Sequence, residues 1–369
     1  MTEALPIDAL PTDLLFHIMS LYANFQLKEF FNLRLVCRRF RDVAVTEWHT
    51  FDFSSTLQCS HFLTDDRFLR LISRCKNLQF VNLANCYQLT VKSLRALAGS
   101  PHIQYLGLNY MSQFTDRDLL WLHKLTELKS LHLYGCNVSA PLLMTIAKHC
   151  RQLQFLDLTS NRFPLTAALE ALPPLCPDLR DLRVAGVQEV RDTLLLGLAE
   201  HCKRLTHIDI GHAKVTDHGV QTLVGACHDL ESLSCPFCPL GDDTLAALAQ
   251  CHNLKTLSLG HCLHPTRPFT MPTLVRVLRA NPTLETLNLA DAGGLSLEDL
   301  MLHWNRDQPP TAPSPLAKLR TLILPAKPVD PTAVERLIWA APEIQLCILG
   351  DEDQSKRLPG LSRLCNILL

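Results

Sequence analysis

The sequence predicts an α/β solenoid. One hydrophobic strand pattern returns about every 25 residues, a helical pattern fills the interval, and cysteines keep phase with both. The strand pattern is an L-x-x-L-x-L triad. It reads Leu78-Val81-Leu83, Ile103-Leu106-Leu108, Leu128-Leu131-Leu133, Leu153-Leu156-Leu158, Leu179-Leu182-Val184 and Leu205-Ile208-Ile210. It continues as Leu230-Leu233-Cys235, Leu254-Leu257-Leu259, Leu284-Leu287-Leu289, Leu319-Leu322-Leu324 and Ile344-Cys347-Leu349. Successive triads start 25, 25, 25, 26, 26, 25, 24, 30, 35 and 25 residues apart. Trp48, Phe51 and Phe53 read as an irregular first turn.

Each element follows from its own periodicity. The closing L-x-L has period two, which suits a short strand with one buried face. The segments TDRDLLWLHKL, TDHGVQTLVGAC and GDDTLAALAQC space apolar residues three and four apart, as a helix requires. Thr115 and Thr216 precede acids at N-cap positions, where a hydroxyl and a negative charge suit the free N–H groups of a helix start. One strand plus one helix cannot bury its apolar face alone, so the units stack. The expected architecture is a leucine-rich-repeat horseshoe over residues 51–350, about 11 repeats. The middle leucines, Leu131 and Leu156 among them, belong to its core, where a polar replacement damages the array.

The 15 cysteines fit this phase. Cys86, Cys136, Cys238 and Cys262 stand three residues after the last leucine of a triad. Cys75, Cys150, Cys176, Cys202, Cys227 and Cys251 stand three residues before the first. Both positions want a small buried side chain. The pairs His149-Cys150, His201-Cys202, Cys227-His228, Cys251-His252 and His261-Cys262 suggest zinc ligands in isolation. Successive copies are displaced along a solenoid, however, and do not converge on four-coordinate geometry. No metal or cofactor is expected. Cys235-Pro-Phe-Cys238 lacks the context of a redox C-x-x-C.

Residues 9–50 differ in character. Leu10-Pro11 opens a helix, with proline in the first turn where no donor is missed. Leu14, Leu15, Ile18 and Met19 then form an apolar stripe, and Leu27, Phe30, Phe31, Leu33 and Leu35 lead into Val36-Cys37-Arg38-Arg39-Phe40-Arg41. About 40 residues cannot build a secure core alone, so much of this surface faces something else. One such partner is the open edge of the solenoid, with the segment serving as a helical cap. The sequence Leu-Pro-x-x-Leu-Leu-x-x-Ile, then Leu-x-Leu-Val-Cys-Arg-Arg-Phe-Arg, then Trp48, resembles an F-box, with Phe40 where tryptophan is commoner. Together with cysteine-type repeats, it resembles the F-box and leucine-rich-repeat protein family.

That resemblance implies a short three-helix F-box that binds a Skp-family adaptor and, through it, the cullin and RING subunits of an SCF-type E3 ubiquitin ligase. Leu10, Pro11, Leu14, Leu15, Ile18, Val36 and Cys37 are then the candidates for adaptor contact. Some of them pack inside the module instead, and the sequence does not sort them. The resemblance also implies a non-catalytic role, in which the repeats hold an unknown protein substrate for ubiquitination and proteasomal degradation. A ubiquitin-independent protein-binding scaffold is the alternative.

Composition narrows the classes. The net charge is −1, from 35 basic and 36 acidic side chains, which leaves no basic stripe for nucleic acid. No apolar run reaches the roughly 18 residues of a membrane span. The N-terminus carries acids where a signal peptide is basic. A cytoplasmic or nuclear location, with reduced thiols, is expected. There is no Gly-rich phosphate loop and no H-E-x-x-H.

Strand residues between the buried leucines point to the concave face, where solenoids bind partners. Aromatic residues gather early and charges in the middle, a composition found at binding hot spots. The expected substrate contacts are Phe80, Tyr105, His132, Tyr134, Phe155, Asp157, Asp181, Arg183, His207 and Asp209. The other reading of this face is a solvated strand surface whose rings pack on one another. Two repeats are enlarged, by CLHPTRPFTMPT and by HWNRDQPPTAPSPLAK. Pro309, Pro310, Pro313 and Pro315 exclude a helix across the second. Residues 1–8 form a tail. Residues 351–369 form a cap or tail in which Cys365 is one position too far from the end for a prenylation motif.

Overall fold

The structure, a computed structural model, describes residues 49–53, 63–73, 75, 77–264, 266–293, 295–305, 314, 316–324, 330–349 and 366–368. The expected F-box helices, the adaptor-contact candidates from Leu10 to Cys37, and most of the proline-rich segment lie outside the described residues. The chain divides into two compact units, Met1–Asp157 and Leu158–Leu369.

The first unit alternates strand and helix. Its strands are β1 (Thr50–Asp52), β2 (Phe80–Asn82), β3 (Tyr105–Gly107), β4 (Ser130–His132) and β5 (Phe155–Asp157). They pair in parallel and in sequence order. Between them run α1 (Asp65–Ile72), α2 (Val91–Leu97), α3 (Asp116–Leu119) and α4 (Ala140–His149). β1 is the irregular first turn, with Phe51 and Phe53 buried. In TDRDLLWLHKL the periodicity suggests one helix. The structure instead tightens after one α-turn into a 3₁₀ segment, Leu120–Lys124, which buries Trp121 and Leu122.

The second unit continues the alternation. It contains β6 (Asp181–Arg183), β7 (His207–Asp209), β8 (Ser232–Ser234), β9 (Thr256–Ser258), β10 (Thr286–Asn288), β11 (Thr321–Leu324) and β12 (Leu346–Leu349). A last strand, β13 (Asn366–Leu368), pairs in parallel with β12. Its helices are α5 (Thr166–Leu175), α6 (Asp192–His201), α7 (Asp217–Ala226), α8 (Asp242–Leu248), α9 (Met271–Ala280), α10 (Leu297–Asn305) and α11 (Pro331–Ala340). The strands pair in parallel. In each triad from Leu78 to Leu289 the residues are fully or almost fully buried. This is the leucine-rich-repeat α/β solenoid that the triads require.

Repeats are joined by polar bonds as well as by leucines. The Asp65 carboxylate at the start of α1 accepts from the Thr90 N–H (2.8 Å), the Thr90 hydroxyl and the Ser93 hydroxyl, all at the start of α2. Asp192 does the same for Thr216 before α7, Asp217 for Gly241 and Thr244 at α8, and Asp242 for Thr270 and Thr273 at α9. Thr216 is an N-cap, as expected, but its hydroxyl donates to Asp192 and does not accept from its own helix. At Thr115 both the N–H and the hydroxyl donate to Asp118 in the same helix.

The 11 cysteines from Cys75 to Cys262 are all free and buried. They do more than fill space: the thiols of Cys136, Cys238 and Cys262 donate to the carbonyls of Leu108, Ile210 and Cys235, one repeat earlier. Cys202 and Cys227 reach the carbonyls of Cys176 and Cys202. Burial pushes the Cys238 and Cys202 thiols up to about 12 and Cys235 well above the usual thiol value. A thiol held neutral by burial is a poor nucleophile.

Candidate protein-binding face

Strand register sets the first part of the face. Phe80, Tyr105, Ser130 and Phe155 are neighbours across β2, β3, β4 and β5. Three of the four positions carry a ring. The serine is small, and His132, two residues on, leans into its place and is held by the Ser130 hydroxyl at 3.0 Å. The result is a continuous ladder. Phe80 stacks on Tyr105 at 3.9 Å between ring centroids, with an interplanar angle of 11°. Tyr105 meets His132 at 4.6 Å, and His132 stacks on Phe155 at 4.1 Å. All four side chains are half-buried, so their faces are used within the ladder and their edges reach the surface. Burial, and then the charge of Asp52, raises the Tyr105 phenol above its ordinary value. It is therefore a neutral hydrogen-bonding group.

A second group of rings lies one step along. Tyr134 meets Tyr110 edge to face at 4.8 Å, and its N–H donates to the Asn109 side chain. The hydrogen bond with Tyr134 raises the Tyr110 phenol. Tyr87 and Tyr110 are exposed. Gly135 has φ +65° and lies against the Tyr110 ring, where a Cβ would sit 3.2 Å from the ring edge. Asp157, adjacent to His132 in register, is buried.

The remaining expected contacts fall in the second unit. Asp181 and Arg183 form a forked ion pair with each other, at 3.1 and 2.9 Å, and Arg183 is exposed. His207 meets the Thr206 hydroxyl at 2.8 Å, and Asp209 accepts from the Gly211 N–H. Arg183 and Asp209 are register neighbours on β6 and β7. The structure thus joins Phe80, Tyr105, His132 and Phe155 into one surface, joins Tyr134 to Tyr110, and ties Asp181 to Arg183.

Sequence reasoning missed a further set of residues. Two positions after the last residue of each of the nine triads from Leu78 to Leu289 the backbone is left-handed, at Asn85, Tyr110, Gly135, Ser160, Gly186, His212, Phe237, His261 and Asp291. This column carries Tyr110 and a second stack, His212–Phe237–His261, with ring spacings of 4.4 and 4.3 Å. The repeat phase alone marks the column. Among the described residues no group of three or more His, Cys, Asp or Glu side chains could hold a metal ion. No helix among them is long and apolar enough to cross a membrane.

Comparison with known proteins agrees with this construction. Residues 7–54 match the F-box-like family model. The chain is 26% identical over 247 residues to a transport inhibitor response 1-like protein of Oryza sativa subsp. japonica, covering 61% of this chain and 40% of that protein. It is 26% identical over 208 residues to F-box/LRR-repeat protein 4 of Bos taurus, covering 55% of this chain and 26% of that protein. The matches thus span less than half the length of either relative. A chain of the yeast Rad7 and Elc1 complex shares the fold, with a TM-score of 0.56 at 16% identity over 98% of both chains. The chain joins an F-box-like segment to a leucine-rich-repeat solenoid, the combination found in the F-box/leucine-rich-repeat proteins to which it is similar.

Proposed function

We propose that this chain is the substrate-recognition subunit of an SCF-type cullin–RING E3 ubiquitin ligase. The observation that carries the reading is the joining of an F-box-like segment at residues 7–54 to repeats that present a four-ring ladder. In this reading the N-terminal segment, 9–50, binds a Skp-family adaptor through residues drawn from Leu10, Pro11, Leu14, Leu15, Ile18, Val36 and Cys37. The chain performs no chemistry. It holds a protein substrate beside a ubiquitin-charged enzyme, raising effective concentration and fixing orientation.

The ladder suits that role because it is rigid before binding. Each ring is held by its neighbours, so docking a partner's apolar side chains against the exposed edges orders little that was free. The face combines these edges with the Tyr105, Tyr110 and Tyr134 hydroxyls, the aromatic and hydrogen-bonding mixture enriched at hot spots. Asp157 would supply charge beside it, and Asp181, Arg183, His207 and Asp209 are proposed as further contacts, within the second unit.

The test is recovery of the full chain from cells. Adaptor and cullin are expected to copurify with the wild type and to be lost with Leu10→Ala/Pro11→Ala, while the repeats stay folded. Recovery of the wild type without adaptor would favour a ubiquitin-independent scaffold.

A further inference from the structure

The last strand of the second unit joins the sheet differently from the others. Consecutive strands from β1 to β12 are separated by 21 residues or more, and a helix lies in every interval. Residues 350–365, between β12 and β13, number only 16. Yet β13 keeps the register of the repeats. Ile367 lies opposite Cys347, which lies opposite Leu322, and Leu322 and Cys347 are the middle residues of their triads. The sequence around Ile367 has the same spacing, Leu364-x-x-Ile367-x-Leu369, and begins 20 residues after Ile344. Residues 351–369, expected to form a cap or tail, therefore carry a further copy of the strand pattern. They bring it without the length that every other interval gives to a helix.

The edge that β13 covers has no other protection. β12 reads Leu346-Cys347-Ile348-Leu349, four apolar residues with no charge and no proline. An open strand edge presents a row of unpaired N–H and C=O groups, a template for another extended segment. Sheets guard such edges with charge, with proline or with a covering element. β12 carries neither charge nor proline, so its guard is the cover. That cover is short: Asn366, Ile367 and Leu368 pair in parallel with Leu346, Cys347 and Ile348.

We propose that the outer edge of β12 is a strand-binding site whose occupant is the chain's own segment Leu364–Leu369, held there as an exchangeable strand. A strand of three paired residues at the end of a sheet opens at far lower cost than a repeat inside the array. What keeps it in place is the tether. A connection of 16 residues presents the segment at an effective concentration of about millimolar. The edge therefore stays closed to other chains until the segment is lost or a competitor exceeds that concentration. The repeat defines what the site accepts: an extended apolar segment of L-x-x-I-x-L spacing, entering parallel to β12 with its middle residue beside Cys347. In strand addition the main-chain bonds supply affinity and the alternate side chains supply selectivity. The site does not depend on the adaptor or on ubiquitin.

The probe is a fluorescein-labelled peptide of residues 361–369 carrying Cys365→Ser, followed by anisotropy, with amide hydrogen exchange of residues 344–350 measured beside it. In the full chain Ile367→Asp should release the segment. The β12 amides should then exchange about tenfold faster than in the wild type, and the peptide should bind saturably and restore their protection. The wild-type chain should bind the same peptide about tenfold more weakly or less, because its own segment competes. A chain shortened to end at Gln354 should behave as Ile367→Asp does, with unchanged exchange of β7 showing that the solenoid is folded. The peptide carrying Ile367→Asp should bind none of the three chains. Equal β12 exchange in the wild type and the folded variants would overturn the proposal. Absence of saturable peptide binding to those variants, or binding as tight to the wild type, would also overturn it. The comparison of the two peptides at millimolar concentration on the wild-type chain stands even if neither variant folds, and equal binding of both would sink the idea.

Discussion

Ser130 shows how much one small residue decides. In register it falls between Tyr105 and Phe155, and a large side chain there would fill the place that His132 occupies. Without His132 the two neighbouring rings would stand two strand spacings apart, roughly 9–10 Å, beyond stacking distance. His132→Ala is therefore expected to cut the ladder in two, with a stability loss of about 1 kcal/mol for two ring contacts. The near-ultraviolet circular dichroism of Tyr105 should change with it. An unaltered aromatic spectrum would mean that the rings do not act as one stack. Beneath Phe155, in the next repeat, Leu156 is fully buried. Leu156→Ala should cost about 2–5 kcal/mol by denaturant unfolding, against a near-zero effect for substitution of exposed Arg151.

Among elements, the aspartate that opens one helix and binds the start of the next is the recurrent device. It gives the solenoid a directional polar seam along its helices, in addition to the leucine core. At Asp65 burial opposes ionisation, but the hydrogen bonds from Ser93 and Thr90 outweigh it and hold the carboxyl below its ordinary value. A depressed folded value stabilises the fold above the ordinary carboxylate range, and the contribution is lost as pH falls through the lower folded value. Asp65→Asn should thus cost about 1 kcal/mol at neutral pH, and the gap from wild type should close as pH drops below about 4. A constant gap down to pH 2.5 would contradict the linkage. The seam also fixes a glycine: a Cβ at Gly219 would overlap the Asp192 carboxylate and approach Leu195 at 3.1 Å. Gly219→Ala in α7 should destabilise by about 1–3 kcal/mol, although alanine is the better helix former.

For the molecule as a whole, the strands and the buried triads were legible because period-two and period-25 signals coincide, and a register slip would expose every leucine. The candidate rings Phe80, Tyr105, His132 and Phe155 were legible as strand residues turned away from the leucine core, since strand phase assigns their direction. That these rings pack on one another was one of the two readings of the face, but the bridging place of His132 was not legible, because it depends on Ser130 leaving room across a strand. The His212–Phe237–His261 stack was missed because its residues sit in turns, where alternation no longer assigns a face and only the left-handed backbone aligns them. Asp181 and Arg183 read as separate charges in the sequence but neutralise each other in space.

The claim that gives these features one purpose is that the ring ladder of the first unit selects the protein to be modified. It is tested by quantifying the proteins that accumulate on the full chain under proteasome inhibition, for the wild type and for a Tyr105→Ala/Tyr134→Ala/Phe155→Ala variant. The account predicts that a specific set of proteins disappears from the variant while adaptor and cullin are recovered undiminished. An unchanged set on the folded variant would contradict it.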